Sequence, residues 1–211
     1  MTENIKVFNL DGNFIGVQDR ATFYKEIKDE FKRTGKITRK IESIRILLLN
    51  SKGRIYLQKR SSTKKENANL YDKTIGGHIS NSETKSVTVI KECAEELGFP
   101  AVVLSEEEFN DSISSLDLSV VGVLKQVSES QNFLSVRKTE DGDFLQPFIT
   151  YFYIGYYDGS ITFKDGESSG LETFSIEELL KELKKNPEKF TDDLKYMVEN
   201  YKEYLIPLKK D

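Results

Sequence analysis

The 211-residue sequence contains a single cysteine, Cys93, so no internal disulfide can form. No apolar run approaches the roughly 20 residues needed to span a bilayer. The opening Met-Thr-Glu-Asn also lacks the basic and apolar stretch of a signal peptide. A cytoplasmic protein without membrane contact is the expectation. A basic excess is missing as well: the net charge is −4 and the pI about 5.4. The broad positive footprint demanded by duplex nucleic acid is therefore excluded, whereas a small phosphorylated ligand, held by a local patch and a metal, is not.

What is present suits an ordered α/β chain, with 31% charged and 37% apolar residues. The expected organisation is one domain, 1–211, with an N-terminal hairpin and helix (1–40), a core (41–174) and C-terminal helices (175–211). Ile5 to Phe8 and Phe14 to Val17 read as a hairpin turned at Asp11-Gly12. Phe23, Ile27 and Phe31, at four-residue spacing, predict a helix stopped at Gly35. Ile44 to Leu49 and Arg54 to Gln58 read as strands joined by Asn50 to Gly53, followed by a polar loop from Lys59 to Asn69. Further on, a strand is expected at Leu118 to Val127, an irregular charged stretch at Ser128 to Gln146, an aromatic strand at Pro147 to Tyr157 and a short strand at Ile161 to Phe163. Two closing helices follow, at Ser175 to Lys184 with Ser175 and Glu178 as a capping box, and at Thr191 to Tyr204. This order suggests a mixed sheet between helices.

Chemistry concentrates in residues 76–99. A helix from about Glu83 to Leu97 is closed by Gly98, at a position that favours left-handed backbone, and Pro100 forbids its continuation. At 100° per residue, Glu92, Glu95 and Glu96 share one face, with Lys91 the only nearby cation, while Val87, Ile90, Ala94 and Leu97 fall opposite. Like charges at these spacings destabilise a bare helix by a few tenths of a kcal/mol per pair. A divalent cation removes that conflict, because Mg²⁺ and Mn²⁺ favour carboxylate oxygens. A plain solvated acidic face is the competing reading of the helix taken alone.

Register with the glycines separates the two readings. Gly77, Glu83, Glu92, Cys93, Glu95, Glu96, Gly98 and Phe99 all match the spacing of the Nudix hydrolase signature, which this stretch resembles. Lys91 stands where the family has an arginine. The resemblance implies an α/β/α sandwich and Mg²⁺ or Mn²⁺ as cofactor. It implies Glu92, Glu95 and Glu96 as metal-binding and catalytic residues, the Gly77 carbonyl as a further ligand, and Glu83 bracing the loop. Attack of a metal-activated water on a diphosphate phosphorus would follow, with Glu92 or Glu95 taking the proton. Lysine supplies a point charge where arginine offers a bidentate fork, so Lys91 would orient a glutamate more loosely.

The stretches Leu47 to Gly53, Leu57 to Lys64 and Asn186 to Thr191 are similar to the subgroup of isopentenyl diphosphate isomerase and its hydrolase relatives. There the positions of Arg60 and Lys64 contact diphosphate, as cationic side chains suit phosphate oxygens. The isomerase itself needs a cysteine before the helix and several histidines. Ile75-Gly76-Gly77 occupies the cysteine's place and His78 is the chain's only histidine. Hydrolysis of a nucleoside diphosphate linked to another group, or of a related small diphosphate, is therefore the leading expectation. A binding or regulatory module weakened at Lys91 is the alternative, and isomerase stands behind both. His78 is a candidate substrate contact, Glu167 a further loop carboxylate, and Cys93 a small buried hydrophobe rather than a nucleophile. A small phosphorylated substrate is the expected partner, and a homodimer is left open.

Overall fold

The N-terminal hairpin forms where its turn glycine allows: β1 (Asn4–Asn9) pairs with β2 (Phe14–Asp19), and Gly12 between them has φ 90°. In this computed structural model, which describes residues 3–140, 142–162 and 168–208, helix α1 (Arg20–Thr34) follows directly. The Asp19 side chain caps its first turn, and Gly35, at φ 69°, ends it. Phe23 and Ile27 pack with Ile5, Val7, Ile41 and Phe148, so the hairpin and helix cover one end of the main sheet.

The sheet is organised around β3 (Arg39–Leu49). Along one edge β3 runs parallel to β9 (Phe144–Tyr156), from Ile41 opposite Phe148 to Leu49 opposite Tyr156. Its other edge is shared in turn by β1, by the short β6 (Ile75–His78) and by β4 (Ile55–Arg60). Strand β5 (Tyr71–Asp72) adds to β4, as does β10 (Ser168–Phe174) from the other side. On the far side β9 pairs with β8 (Gly122–Arg137), and β8 with β7 (Ala101–Leu104). Pro147 sits within β9 just before its pairing with β3 begins at Phe148, so its missing N–H is not required by that ladder.

Alternation along β3 divides the core into two layers. Ile44, Ile46 and Leu48 face helix α2 (Lys85–Glu92) and its extension, meeting Val89, Cys93 and Leu97. Leu47 and Leu49 face the opposite side, where α3 (Glu106–Ser115), α4 (Ile176–Lys185) and α5 (Asp192–Tyr201) contribute Phe109, Leu179, Leu194 and Met197. The expected α/β/α sandwich is thus formed. No helix among the described residues is long and apolar enough to cross a membrane.

Several elements differ from the sequence reading. The stretch from Ser128 is not irregular: β8 continues to Arg137, and β9 already begins at Phe144. Register shifts at Gln126/Ser128 and Ser130/Phe133 break the two-residue alternation that identifies a strand. The second of these irregularities has a use. The Gln131 carbonyl accepts from Lys40 Nζ at 2.7 Å, and the same buried ammonium donates to the Leu10 carbonyl at 2.8 Å and to Asn132 Oδ1 at 2.6 Å. Leu118 to Val120 form a turn rather than strand, and β8 begins only at Gly122. Ile161 and Thr162 lie outside any strand, and Phe163 and Glu167 fall outside the described residues. Strand β7 and helix α3 were not anticipated, although Ser105 and Glu108 form a capping box identical in kind to the one at Ser175.

Candidate active site

The acidic helix starts at Lys85, not Glu83, because Thr84 is its N-cap, accepting from the Val87 amide. Glu83 stays outside the helix and braces its start: one oxygen accepts from the Thr88 hydroxyl and the other from Lys91 Nζ, both at 3.1 Å. Lys91 therefore pairs with Glu83 rather than orienting one of the other glutamates. At 47% exposure this ion pair contributes well under about 1 kcal/mol. The inward face also differs from expectation. Val89, Cys93 and Leu97 are buried, whereas Val87, Ile90 and Ala94 face solvent. Thr88 is buried too, which its hydrogen bonds to Glu83 and to the Thr84 carbonyl make tolerable.

From Cys93 to Leu97 the helix widens into a π-turn, closed by the Gly98 amide on the Cys93 carbonyl with Gly98 at φ 79°. Such turns are rare and concentrate at functional sites. Here the wide turn carries Glu95 and Glu96. Burial holds the Cys93 thiol well above its ordinary value, so it packs as a small hydrophobe and is not a nucleophile.

Glu92 lies against Gly77, so closely that a Cβ there would overlap its carboxylate. Its carboxyl is raised above the ordinary range, first by burial and also by the charge of Glu95, while a hydrogen bond with Glu96 works in the other direction. Two carboxylates so close repel each other when both are ionised, and a cation between them would relieve that repulsion. Hard oxygen donors in contact, beside a glycine backbone, fit Mg²⁺ or Mn²⁺. Among the described residues, however, no group of three or more acidic, histidine or cysteine side chains converges to metal-binding spacing. Glu95 lines the same cleft as Glu92 and Glu96.

These glutamates form one wall of a cleft of about 640 Å³. Facing them are cations that sequence spacing did not bring together: Arg20 from the start of α1, Arg45 from β3, Lys73 ahead of β6 and Arg137 at the end of β8. Arg60 and Lys64, expected to meet diphosphate, line the same cleft. Arg60 also holds its own loop, donating to the Glu66 carbonyl from Nη2 at 2.9 Å and from Nε at 3.2 Å. His78 lies in the cleft wall, 2.5 Å from the Tyr24 hydroxyl through Nε2. Its pKa falls well below the usual histidine value, first through burial and then through Arg20, Arg137 and Arg45, so the imidazole is neutral at pH 7.

Behind the cleft lies a buried polar network. Asp193 of α5 accepts from Arg45 Nε at 2.9 Å and Ser135 Oγ at 2.6 Å, with Lys73 Nζ at 3.5 Å. Asp72 accepts from Lys73 Nζ at 3.1 Å and Thr191 Oγ1 at 2.7 Å. Apart from the neighbours Asp72 and Lys73 and the nearby Thr191 and Asp193, these residues lie far apart in the chain, with no spacing pattern to mark them in the sequence. Only a three-dimensional arrangement gathers them.

The chain matches the NUDIX domain family model over residues 39–194. It is 25% identical over 191 residues to the isopentenyl-diphosphate Delta-isomerase of Serratia proteamaculans (strain 568), covering 90% of this chain and 87% of that one. Among solved structures, a protein of Deinococcus radiodurans superposes with a TM-score of 0.62 at 18% identity, over 93% of this chain and 98% of that one. The bifunctional NMN adenylyltransferase/ADP ribose pyrophosphatase of Francisella tularensis gives a TM-score of 0.52 at 15% identity, over 88% of this chain and 46% of that one. With the family model covering most of the length and the glycine and glutamate positions in register around one cleft, the chain belongs to the Nudix hydrolase family.

Proposed function

We propose that this chain hydrolyses small diphosphates, a nucleoside diphosphate linked to another group being the leading class, with Mg²⁺ or Mn²⁺. The observation that carries this reading is the pairing, in one cleft, of the Glu92, Glu95 and Glu96 wall with Arg20, Arg60 and Lys64. Arginine forks and lysine ammonium groups bind and orient phosphate oxygens. Glu92 and Glu96 would hold the cation, with Glu95 completing the set when substrate is present. A bound divalent ion supplies neutralisation of charge on the phosphate oxygens and a lowered pKa for the attacking water. Glu92 or Glu95 would accept that water's proton. The two structural relatives' fold and the ADP ribose pyrophosphatase named among them are compatible with this class.

The isomerase name of the Serratia relative is not carried over. Gly76 and Gly77 stand where the isomerase's cysteine is expected, and the single histidine is engaged with Tyr24. A second reading, a ligand-binding module with weakened catalysis, draws on Lys91, which is engaged with Glu83 alone in the hydrogen bonds of the helix.

Incubation with a diphosphate panel and Mg²⁺ or Mn²⁺ tests both readings. Turnover is expected, falling by about 10²–10⁴ in Glu92→Gln, the range for loss of a proton-transfer group. No turnover of any compound, or turnover unchanged in Glu92→Gln and Glu95→Gln, would overturn the hydrolase reading. Binding without product, with little activity gained in Lys91→Arg, would establish the module instead.

A further inference from the structure

We infer that Arg45, Lys73 and Arg137 form a second anion subsite, which takes a terminal phosphomonoester of the substrate on the face of β6 opposite the carboxylates. The inference rests on the hydrolase reading for the word substrate, but the subsite itself stands on separate observations.

The first is sidedness. Successive residues of a strand point to opposite faces. A Cβ at Gly77 would overlap Glu92, whereas a Cβ at Gly76 would meet Lys73, with Cε at 2.5 Å and Nζ at 3.1 Å. Arg45, paired with Gly76 across the β3–β6 ladder, also reaches the Asp193 side. The cleft therefore wraps the bare edge of β6, with acid on one face and base on the other.

The second observation is a charge imbalance. Among the described residues, the buried carboxylates paired with Arg45 and Lys73 are Asp193 and Asp72, Asp72 is shared with Arg60 at 3.5 Å, and Arg137 forms an ion pair with neither. Glu66, 3.8 Å from Arg137, is already bound to Lys28 at 2.7 Å. A purely structural ion network gains from neutrality, because an uncompensated buried charge is costly. This one is left positive.

The third observation is unused donors. Arg45 gives Nε to Asp193 and Nη1 to the Ile44 carbonyl, but its Nη2 has no acceptor, and the side chain is only 3% exposed. Arg137 Nε has no hydrogen-bond partner either. Both side chains line the cleft. Buried donors without partners are rare in finished structures, and two on one cationic floor are what an incoming dianion would satisfy.

Calorimetric titration of the metal-free, full-length protein with inorganic phosphate at low ionic strength tests this. One saturable site is expected, weakened about tenfold or more in Arg137→Gln and in Arg45→Lys, a loss of the size that one charge-assisted hydrogen bond gives. Lys64→Gln, on the diphosphate loop, should weaken phosphate binding less than either arginine variant does. Arg45→Lys keeps a cation beside Asp193, and melting curves of each variant establish that it folds. Absence of phosphate binding in the parent protein, binding in both arginine variants as tight as the parent's, or a loss confined to Lys64→Gln would overturn the subsite. A matched pair of diphosphates, with and without a terminal phosphomonoester, completes the test, the phosphorylated member being expected to have the lower KM. Phosphate binding without any diphosphate turnover would leave the subsite and remove the hydrolase reading; turnover without phosphate binding would do the reverse.

Discussion

Asp193 shows how a single residue serves stability and site together. Burial, the largest influence on its carboxyl, pushes the pKa up, but Arg45, Lys73, Arg137 and the Ser135 hydroxyl outweigh it and the net shift is strongly downward. A carboxyl depressed in the folded state contributes stability that is fully present above its unfolded value of about 3.8 and lost as the pH falls through the folded value. Urea unfolding between pH 7 and pH 2 should therefore show a steep loss on the acid limb. Asp193→Asn is expected to lose about 3–5 kcal/mol at pH 7, because Arg45 and Lys73 would be left buried without their carboxylate, and to flatten the acid limb. A variant as stable as the parent at pH 7 would remove this account of the network.

At the level of elements, the decisive piece is the four-residue strand β6, whose two central residues have no side chains. Gly77→Ala should leave the fold intact, since β6 is short and at an edge, but displace Glu92 and lower turnover by at least about tenfold, as small displacements of reacting groups do. Unchanged kinetics would mean that Glu92 is not held where its proximity to Gly77 implies. Much of this element was legible in advance. The spacing from Gly77 to Glu83, Glu92 and Gly98 marked the acidic helix, and turn and cap residues marked β1, β2, α1 and α4. What escaped had physical reasons. Irregular pairing hid the second half of β8, a π-turn shifted the inward face of α2 from Val87 and Ile90 to Val89 and Cys93, and Arg45, Lys73 and Arg137 carry no local pattern because tertiary contacts alone unite them.

For the whole molecule, the three layers place a repelling carboxylate pair on one side of the cleft and an excess of cations on the other. Mg²⁺ should stabilise the protein by relieving the first. At one hundred times its dissociation constant, a ligand binding only the native state adds about 2.7 kcal/mol, which for a chain of this size is a rise of roughly 5–10 °C in melting temperature. Differential scanning calorimetry with and without Mg²⁺ measures this, and the double change Glu92→Gln with Glu96→Gln should abolish it. A rise that persists in the double variant would place the cation elsewhere.

The parallel ladder between β3 and β9 joins residues 41–49 to residues 148–156, and the cleft's cations are drawn from positions as distant as Arg20 and Arg137. Pairings so remote along the chain close late, because loop entropy is lost before contacts reward it. A partly folded chain can thus possess the acidic helix, a local structure, while lacking the cationic wall altogether. The appearance of catalysis during refolding accordingly reports closure of the whole sheet, and the order in which the two walls form follows from the topology alone.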